Sequence, residues 1–356
     1  MVVKAMQEPW YALSSSHWNP SMLISTLLAT ILATQPEALY FAHKDWEIAC
    51  DNTRTCRAAG YSSESGGISV LLTREGGPKG GLSGNLAVSI MNDDQERPIT
   101  SPLTMLIDGN IVGTARYDQK SDYYQLPATA LIPLVNAIKG SSTVEFTAEP
   151  SHRWSLSGAG ATAVLLKMDE FQGRIGTETA FVKPGTNAAS LVPPSQPAPL
   201  IRVPQVPENS ERALTGDEFN AIGQWLDAQK GDTYCSWQDY PSLGVVYRLS
   251  KAQLLIEMPC NMNSYNQTYA YLLTNNQLDL KLARLVTSSA TGYMQGEITS
   301  SMKARGLGDC WESESWGWNG ETFKLTERST TGMCRLITPG GTWNMPLWRS
   351  EIIKVQ

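Results

Sequence analysis

The sequence predicts a mainly β protein: a β-rich α+β chain of two disulfide-braced antiparallel β domains, with a few helices and a Pro-rich linker. Three observations carry this expectation. A length of 356 residues fits two domains at ~150 residues each. The 29 Gly and 20 Pro supply the many turns that short strands need. Six cysteines, widely spaced and never in a CxxC pair, fit disulfide braces better than metal ligands. A content of 42% hydrophobic and 17% charged residues is that of a globular chain, neither disordered nor supercharged. The 28 basic and 34 acidic residues leave a net charge of −6, without long Lys/Arg runs, which argues against nucleic acid as a partner. Three histidines, His17, His43 and His152, are too few for a His-rich metal site. No metal or other cofactor is expected.

Residues 1–36 read as a signal or targeting segment. Met22–Ala33 is twelve residues without a charge, shorter than the ~20 of a membrane span and matching the ~7–15 of a secretory apolar region. Removal is expected between Ala33 and Ala38, leaving no membrane span. Lys4 is the only basic residue ahead of the apolar run, which makes a buried helix the competing reading. No cysteine follows until Cys50, so a lipid anchor is not expected.

Residues 37–183 read as the N-terminal β-rich domain. Trp46–Cys50 and Leu86–Ile90 alternate in strand period. Asp108-Gly109, between two apolar runs, predicts a tight hairpin. A helix is expected over Pro127–Lys139, with Leu131, Leu134, Val135 and Ile138 as its inner face, and then a strand at Val144–Ala148. Ala161–Phe171 is ambiguous; as a helix it would bury Val164, Leu165 and Met168 and leave Lys167 and Asp169 outside. Residues 184–210 hold seven of the 20 prolines and read as a semi-extended linker.

Residues 211–356 read as a C-terminal β-meander domain opened by a helix. Thr215-Gly216-Asp217-Glu218 is a capping box, followed by a stripe of Phe219, Ile222, Trp225 and Leu226 and a stop at Gly231. Strands are expected at Leu243–Leu249, Leu254–Met258, Tyr269–Thr274 and Leu278–Leu282, with turns at Asn275-Asn276 and Asn319-Gly320. Six cysteines allow 15 pairings. Sequence locality favours Cys50–Cys56, Cys235–Cys260 and Cys310–Cys334.

Trp46, Cys50, Cys56 and the run Ser155-Leu156-Ser157-Gly158 resemble the invasion-associated locus B type of exported proteobacterial domain. Met168–Thr177, together with Gly308-Asp309-Cys310, Trp316, Trp318-Asn319-Gly320, Phe323 and Cys334-Arg335, resembles a wider family of uncharacterised exported bacterial proteins, domain of unknown function 1176. The resemblance implies a secreted or periplasmic β-rich protein and assigns no activity. It also implies glycine after Cys310 and Arg335, where this chain has Trp311 and Leu336.

Few residues suggest chemistry. On a strand, Glu312 and Glu314 share a face roughly 7 Å apart, inside the ~5–9.5 Å range of glycosidase carboxylate pairs, a spacing that solvated strand faces also show. His152, Ser155, Ser157 and Asp169 lack a nucleophile elbow. The glycines around Pro78-Lys79 lack the helix start of a phosphate loop and read as a flexible surface loop. Arg174 could present its planar fork to a carboxylate. Five of the eleven tryptophans fall between Trp311 and Trp348, and flat indoles suit sugar rings and protein partners alike. Trp316 and Trp318 share one parity and Trp311 has the other, so a regular strand turns at least one indole outward. The candidate binding residues are therefore Trp311, Glu312, Glu314, Trp316, Trp318 and Arg174. The expected function is a non-catalytic cell-envelope binding or inhibitor module that engages an envelope or host protein or a glycan. An envelope-glycan hydrolase using Glu312/Glu314 and a structural envelope protein are the alternatives.

Overall fold

The computed structural model describes residues 38–91, 100–148, 152–208, 210–229, 235–240 and 244–355. The signal-like segment 1–36, Gly231 and Leu243 lie outside the described residues. The chain opens with β1 (Leu39–His43), β2 (Trp46–Cys50), β3 (Cys56–Tyr61), β4 (Ile68–Arg74) and β5 (Leu82–Val88). It continues through β6 (Leu103–Ile107), β7 (Asn110–Asp118), β8 (Tyr123–Gln125), helix α1 (Ala128–Lys139), β9 (Val144–Ala148), β10 (His152–Leu156) and helix α2 (Ala161–Phe171). The ten strands form one antiparallel sheet in the order β1-β2-β3-β4-β5-β8-β7-β6-β9-β10. Asp108-Gly109 makes the β6–β7 turn with both residues at positive φ, 49° and 78°, as a primed hairpin turn requires. Pro127 caps α1, whose buried stripe includes Leu131, Leu134, Val135 and Ile138.

Two expectations change here. Ala161–Phe171 is a helix that buries Val164, Leu165 and Met168, but Asp169 is buried with them. Its carboxylate accepts the amides of Phe181 and Val182 at 2.7 and 2.8 Å and faces Arg74. A polar residue can join an apolar stripe when its hydrogen bonds are satisfied inside. Second, all five residues of β2 are buried. Trp46, Ile48 and Cys50 enter the core under α1 and α2, while Ala49 on the opposite face joins a cluster with Ile337, Trp343 and Met345. The far end of the chain covers the sheet's outer face.

The C-terminal half comprises β11 (Leu200–Pro204), β12 (Glu211–Ala213), helix α3 (Gly216–Asp227), β13 (Val245–Arg248), β14 (Gln253–Met262), β15 (Gln267–Asn275) and β16 (Arg284–Ala290). Then come β17 (Gly292–Met294), β18 (Glu297–Lys303), β19 (Trp311–Trp318), β20 (Phe323–Thr330), β21 (Met345–Arg349) and β22 (Glu351–Val355). Strands β12 to β16 and β17 to β21 make two five-stranded sheets, each in sequence order. Leu255, Tyr271 and Leu273 of the first meet Ile298, Trp318 and Phe323 of the second in a shared core. Helix α3 covers the other face of the first sheet with Phe219, Ile222 and Leu226, beside the Cys235–Cys260 disulfide. The expected strand at Leu278–Leu282 is a turn instead. The Asn275 side chain accepts the amides of Gln277 and Asp279, which curls the chain, and the strand follows at β16.

In the Pro-rich stretch, Ala189–Leu191 form a 3-10 turn, β11 runs parallel to β22, and Val206 is buried in the shared core. Cys50–Cys56 and Cys310–Cys334 are bonded as locality suggested. The described residues are therefore mainly β, with antiparallel sheets, three α-helices and three disulfides.

Candidate functional site

The covered face of β2 and β3 carries polar side chains that the apolar pattern conceals. Glu47 is 0% exposed. Its carboxyl accepts the hydroxyl of Tyr61 at 2.5 Å, that of Tyr40 at 2.8 Å and the Met333 amide at 2.6 Å. Burial pushes this carboxyl above its ordinary range, against the hydrogen bonds and the Arg335 charge that favour its ionised form. Arg335 reaches across to Asp45 at 2.8 Å. Leu336 follows at φ 54°, in the left-handed region where glycine fits more easily and where the resemblance implied one. Its amide donates to Asp309, and its carbonyl accepts the hydroxyl of Ser89. The Cys310–Cys334 disulfide thus secures a segment whose polar groups dock on the ten-stranded sheet.

Beside this seam lies a groove of about 410 Å³. Its floor comes from β18, β19 and β20. Ser300, Glu314 and Arg328 are Cα partners across the three strands, and Met302, Glu312 and Thr330 make the next row. Tyr40 from β1 and Leu347 from β21 close its sides. The expected common face of Glu312 and Glu314 is present, but the two differ in state. Glu314 is paired with Arg328. Glu312 is exposed and makes no hydrogen bond or ion pair among the described residues. Tyr40, 49% exposed, stands between the solvent-facing groove and buried Glu47.

The other sequence-selected residues separate. Trp318 is 1% exposed and sits in the core shared by the two five-stranded sheets, with Trp316 packed against it. Trp318 is core, and Trp316 is partly buried against it. Trp311 lies on the opposite face, half-buried, with Lys303 over its ring at 5.3 Å and its Nε1 donating to the Gly308 carbonyl. The hairpin is irregular: a register shift against β20 falls between Ser315 and Trp316.

Arg174 is 1% exposed. It donates to Gln172, Thr179 and the carbonyl of Gly77, at 2.9, 3.1 and 2.7 Å. Gln172 holds the carbonyls of Arg54 and Arg74 beside it. Arg74 lies over the Phe181 ring at 3.9 Å, and burial lowers its guanidinium to about 10. This clamp pins the glycine turn around Pro78-Lys79, which is thereby held by side chains from the end of α2. Arg174 is a fold-holding residue whose fork is engaged inside the protein.

Among the described residues, one group of metal-ligand type comes together: Asp309, Cys310 and Cys334. Its sulfurs are bonded to each other, and its carboxylate is held by Arg305. The sequence reading missed Tyr40, Glu47, Tyr61, Met302, Arg328 and Leu347. The available signal was Glu47 itself, an acid set between Trp46 and Ile48 on a strand bordered by a disulfide.

A mainly β, disulfide-braced chain with its motif residues held in buried clamps leads to one family. The chain belongs to the family described as "Protein of unknown function (DUF1176)", whose model matches residues 40–350. A relative from Escherichia coli (strain K12), the uncharacterized protein YpfG, is 22% identical over 331 residues, or 82% of this chain and 88% of that protein. No solved structure matches the chain.

Proposed function

We propose that the chain is a non-catalytic binding module of the bacterial cell envelope, exported by its N-terminal segment. Its partner is a protein segment bearing a basic side chain, held in the groove between β1 and the β17–β21 sheet. One observation carries the reading most: Glu312 offers a carboxylate with no hydrogen bond or ion pair among the described residues, in a concave groove beside the exposed ring of Tyr40. Apolar side chains, Met302 and Leu347, flank a single available charge there. Such an arrangement suits a cation on an aliphatic stem. Export is supported by three disulfides, which persist in oxidising compartments. No described helix is long and apolar enough to cross a membrane.

The non-catalytic reading rests on the state of the two glutamates. Glu314 is occupied by Arg328, and Glu312 projects from the same strand, so the pair forms one ridge and does not face across a substrate. A photo-crosslinking residue in place of Met302 in the full chain tests the site. A discrete protein adduct, lost on Glu312→Lys while the fold is kept, is expected. No adduct above that of a control position, or peptidoglycan turnover abolished by Glu312→Gln, would overturn the reading. Mass spectrometry of the mature chain tests export, with a new terminus expected between Ala33 and Ala38.

A further inference from the structure

We propose that a second cavity, at the margin of the two C-terminal sheets, binds a primary ammonium group through Tyr247, Tyr293 and Glu211. The cavity holds about 400 Å³, and its lining includes Glu208, Glu211, Tyr247, Tyr293, Met294 and Gln295. Among the described residues no lysine or arginine lines it, and it shares none with the Glu312 groove. The rings of Tyr247 and Tyr293 stand 4.6 Å apart, tilted by 48°. An aromatic corner of this kind presents electron-rich faces that attract cations. Glu211 is the Cα partner of Tyr247 across β12 and β13, so its carboxylate emerges beside the phenol. Glu208 and Glu211 make no hydrogen bond or ion pair among the described residues.

A group behind the wall sharpens the chemistry. The Tyr247 hydroxyl donates to Glu257 at 3.1 Å, and the Tyr271 hydroxyl donates to the same oxygen at 2.5 Å. With its proton directed at Glu257, the Tyr247 oxygen is left with lone pairs to accept, and hydrogen bonding in series strengthens such an acceptor. The Tyr293 oxygen already accepts the Gly296 amide at 3.0 Å, which fixes its ring at the cavity wall. Acceptors at Tyr247 and Glu211, with Glu208 at the rim, match the three donors of an ammonium. A quaternary ammonium has none, so this cavity is selective for primary amines. The amine has two sources, a free polyamine or the lysine side chain of a protein.

Calorimetric titration of the full chain with putrescine, N-acetyl-lysine amide and tetramethylammonium tests this. Saturable binding of at least one primary amine is expected, with tetramethylammonium weaker. Putrescine alone binding assigns the polyamine source, and the lysine amide binding assigns the protein source. Glu211→Gln, at an exposed position, and Tyr247→Phe should each weaken binding about tenfold, equivalent to ~1.4 kcal/mol. Glu312→Gln should leave binding unchanged, which separates this site from the groove. No saturable binding of either amine, or equal binding by wild type and Glu211→Gln, would overturn the proposal.

Discussion

Glu47 concentrates the physics of the seam in one side chain. It is buried, it accepts three hydrogen bonds, and two of their donors belong to parts of the chain more than 10 residues away. Burial raises its carboxyl above the ordinary 4.5, so the folded chain holds that proton more tightly than the unfolded chain. Stability is then full below the ordinary value, falls as pH rises through the folded value and stays reduced above it. Glutamine cannot ionise, so Glu47→Gln should gain on the wild type as pH climbs above the ordinary carboxyl value of 4.5. Urea midpoints read on both sides of that value check this, and parallel curves would show that another group titrates. Arg174 gives a different test. Removing a buried cation that holds backbone carbonyls should cost about 3–5 kcal/mol. Arg174→Ala is expected to lower the melting temperature sharply, and partner binding in the groove should follow only the loss of fold. Neither role was legible from strand alternation, which assigns Glu47 to solvent, or from Arg174's motif, which marks importance without saying whether it is structural.

Elements were more legible than residues wherever local chemistry decides them. The Asp108-Gly109 turn, the Pro127-capped helix α1 and the Thr215–Glu218 box each stand where the sequence places them. In α3 the Thr215 hydroxyl accepts the Glu218 amide at 3.3 Å, and the Glu218 carboxylate accepts the Thr215 amide at 2.9 Å. The Arg212 guanidinium beside it lowers the Glu218 carboxyl to about 2, so the box stays intact until pH falls through that value. Thr215→Ala should cost about 1 kcal/mol, read as a lower urea midpoint with unchanged slope. Where burial depends on distant chain, element reading fails. Leu278–Leu282 has strand composition, yet Leu278 and Leu280 pack beside the core under α3 while Asn275 bends the backbone. The tryptophan hairpin forms as expected, but sequence parity could not show which face another sheet would cover. The groove was therefore half-visible: Glu312 and Glu314 were found, and the side chains that close it come from β1 and β21.

At the scale of the whole molecule, the sheets are joined by contacts that sequence reading divides between separate domains. Ile337, Trp343 and Met345 pack on Ala49, Ala59, Tyr61 and Leu71. Trp343 donates to the Ser69 hydroxyl at 2.9 Å and lies 4.8 Å from the Tyr123 ring. Asn52 exchanges two hydrogen bonds with the Arg349 backbone, and Ile90 donates to the Ile337 carbonyl. A seam this apolar, crossed by this many hydrogen bonds, should couple the unfolding of both halves, because separating them exposes a core face on each. Trp343→Ala removes a buried indole from its centre, at a cost of about 3–5 kcal/mol. Fluorine NMR of labelled Trp46 and Trp318 reads the two sides independently. In the wild type both signals should vanish at one urea concentration, and in Trp343→Ala both should move down together. If Trp46 kept its midpoint while Trp318 shifted, the ten-stranded sheet would be an independently stable unit and the seam a weak interface. Joint movement would make both halves one cooperative unit, held through the seam that has Glu47 at its polar centre.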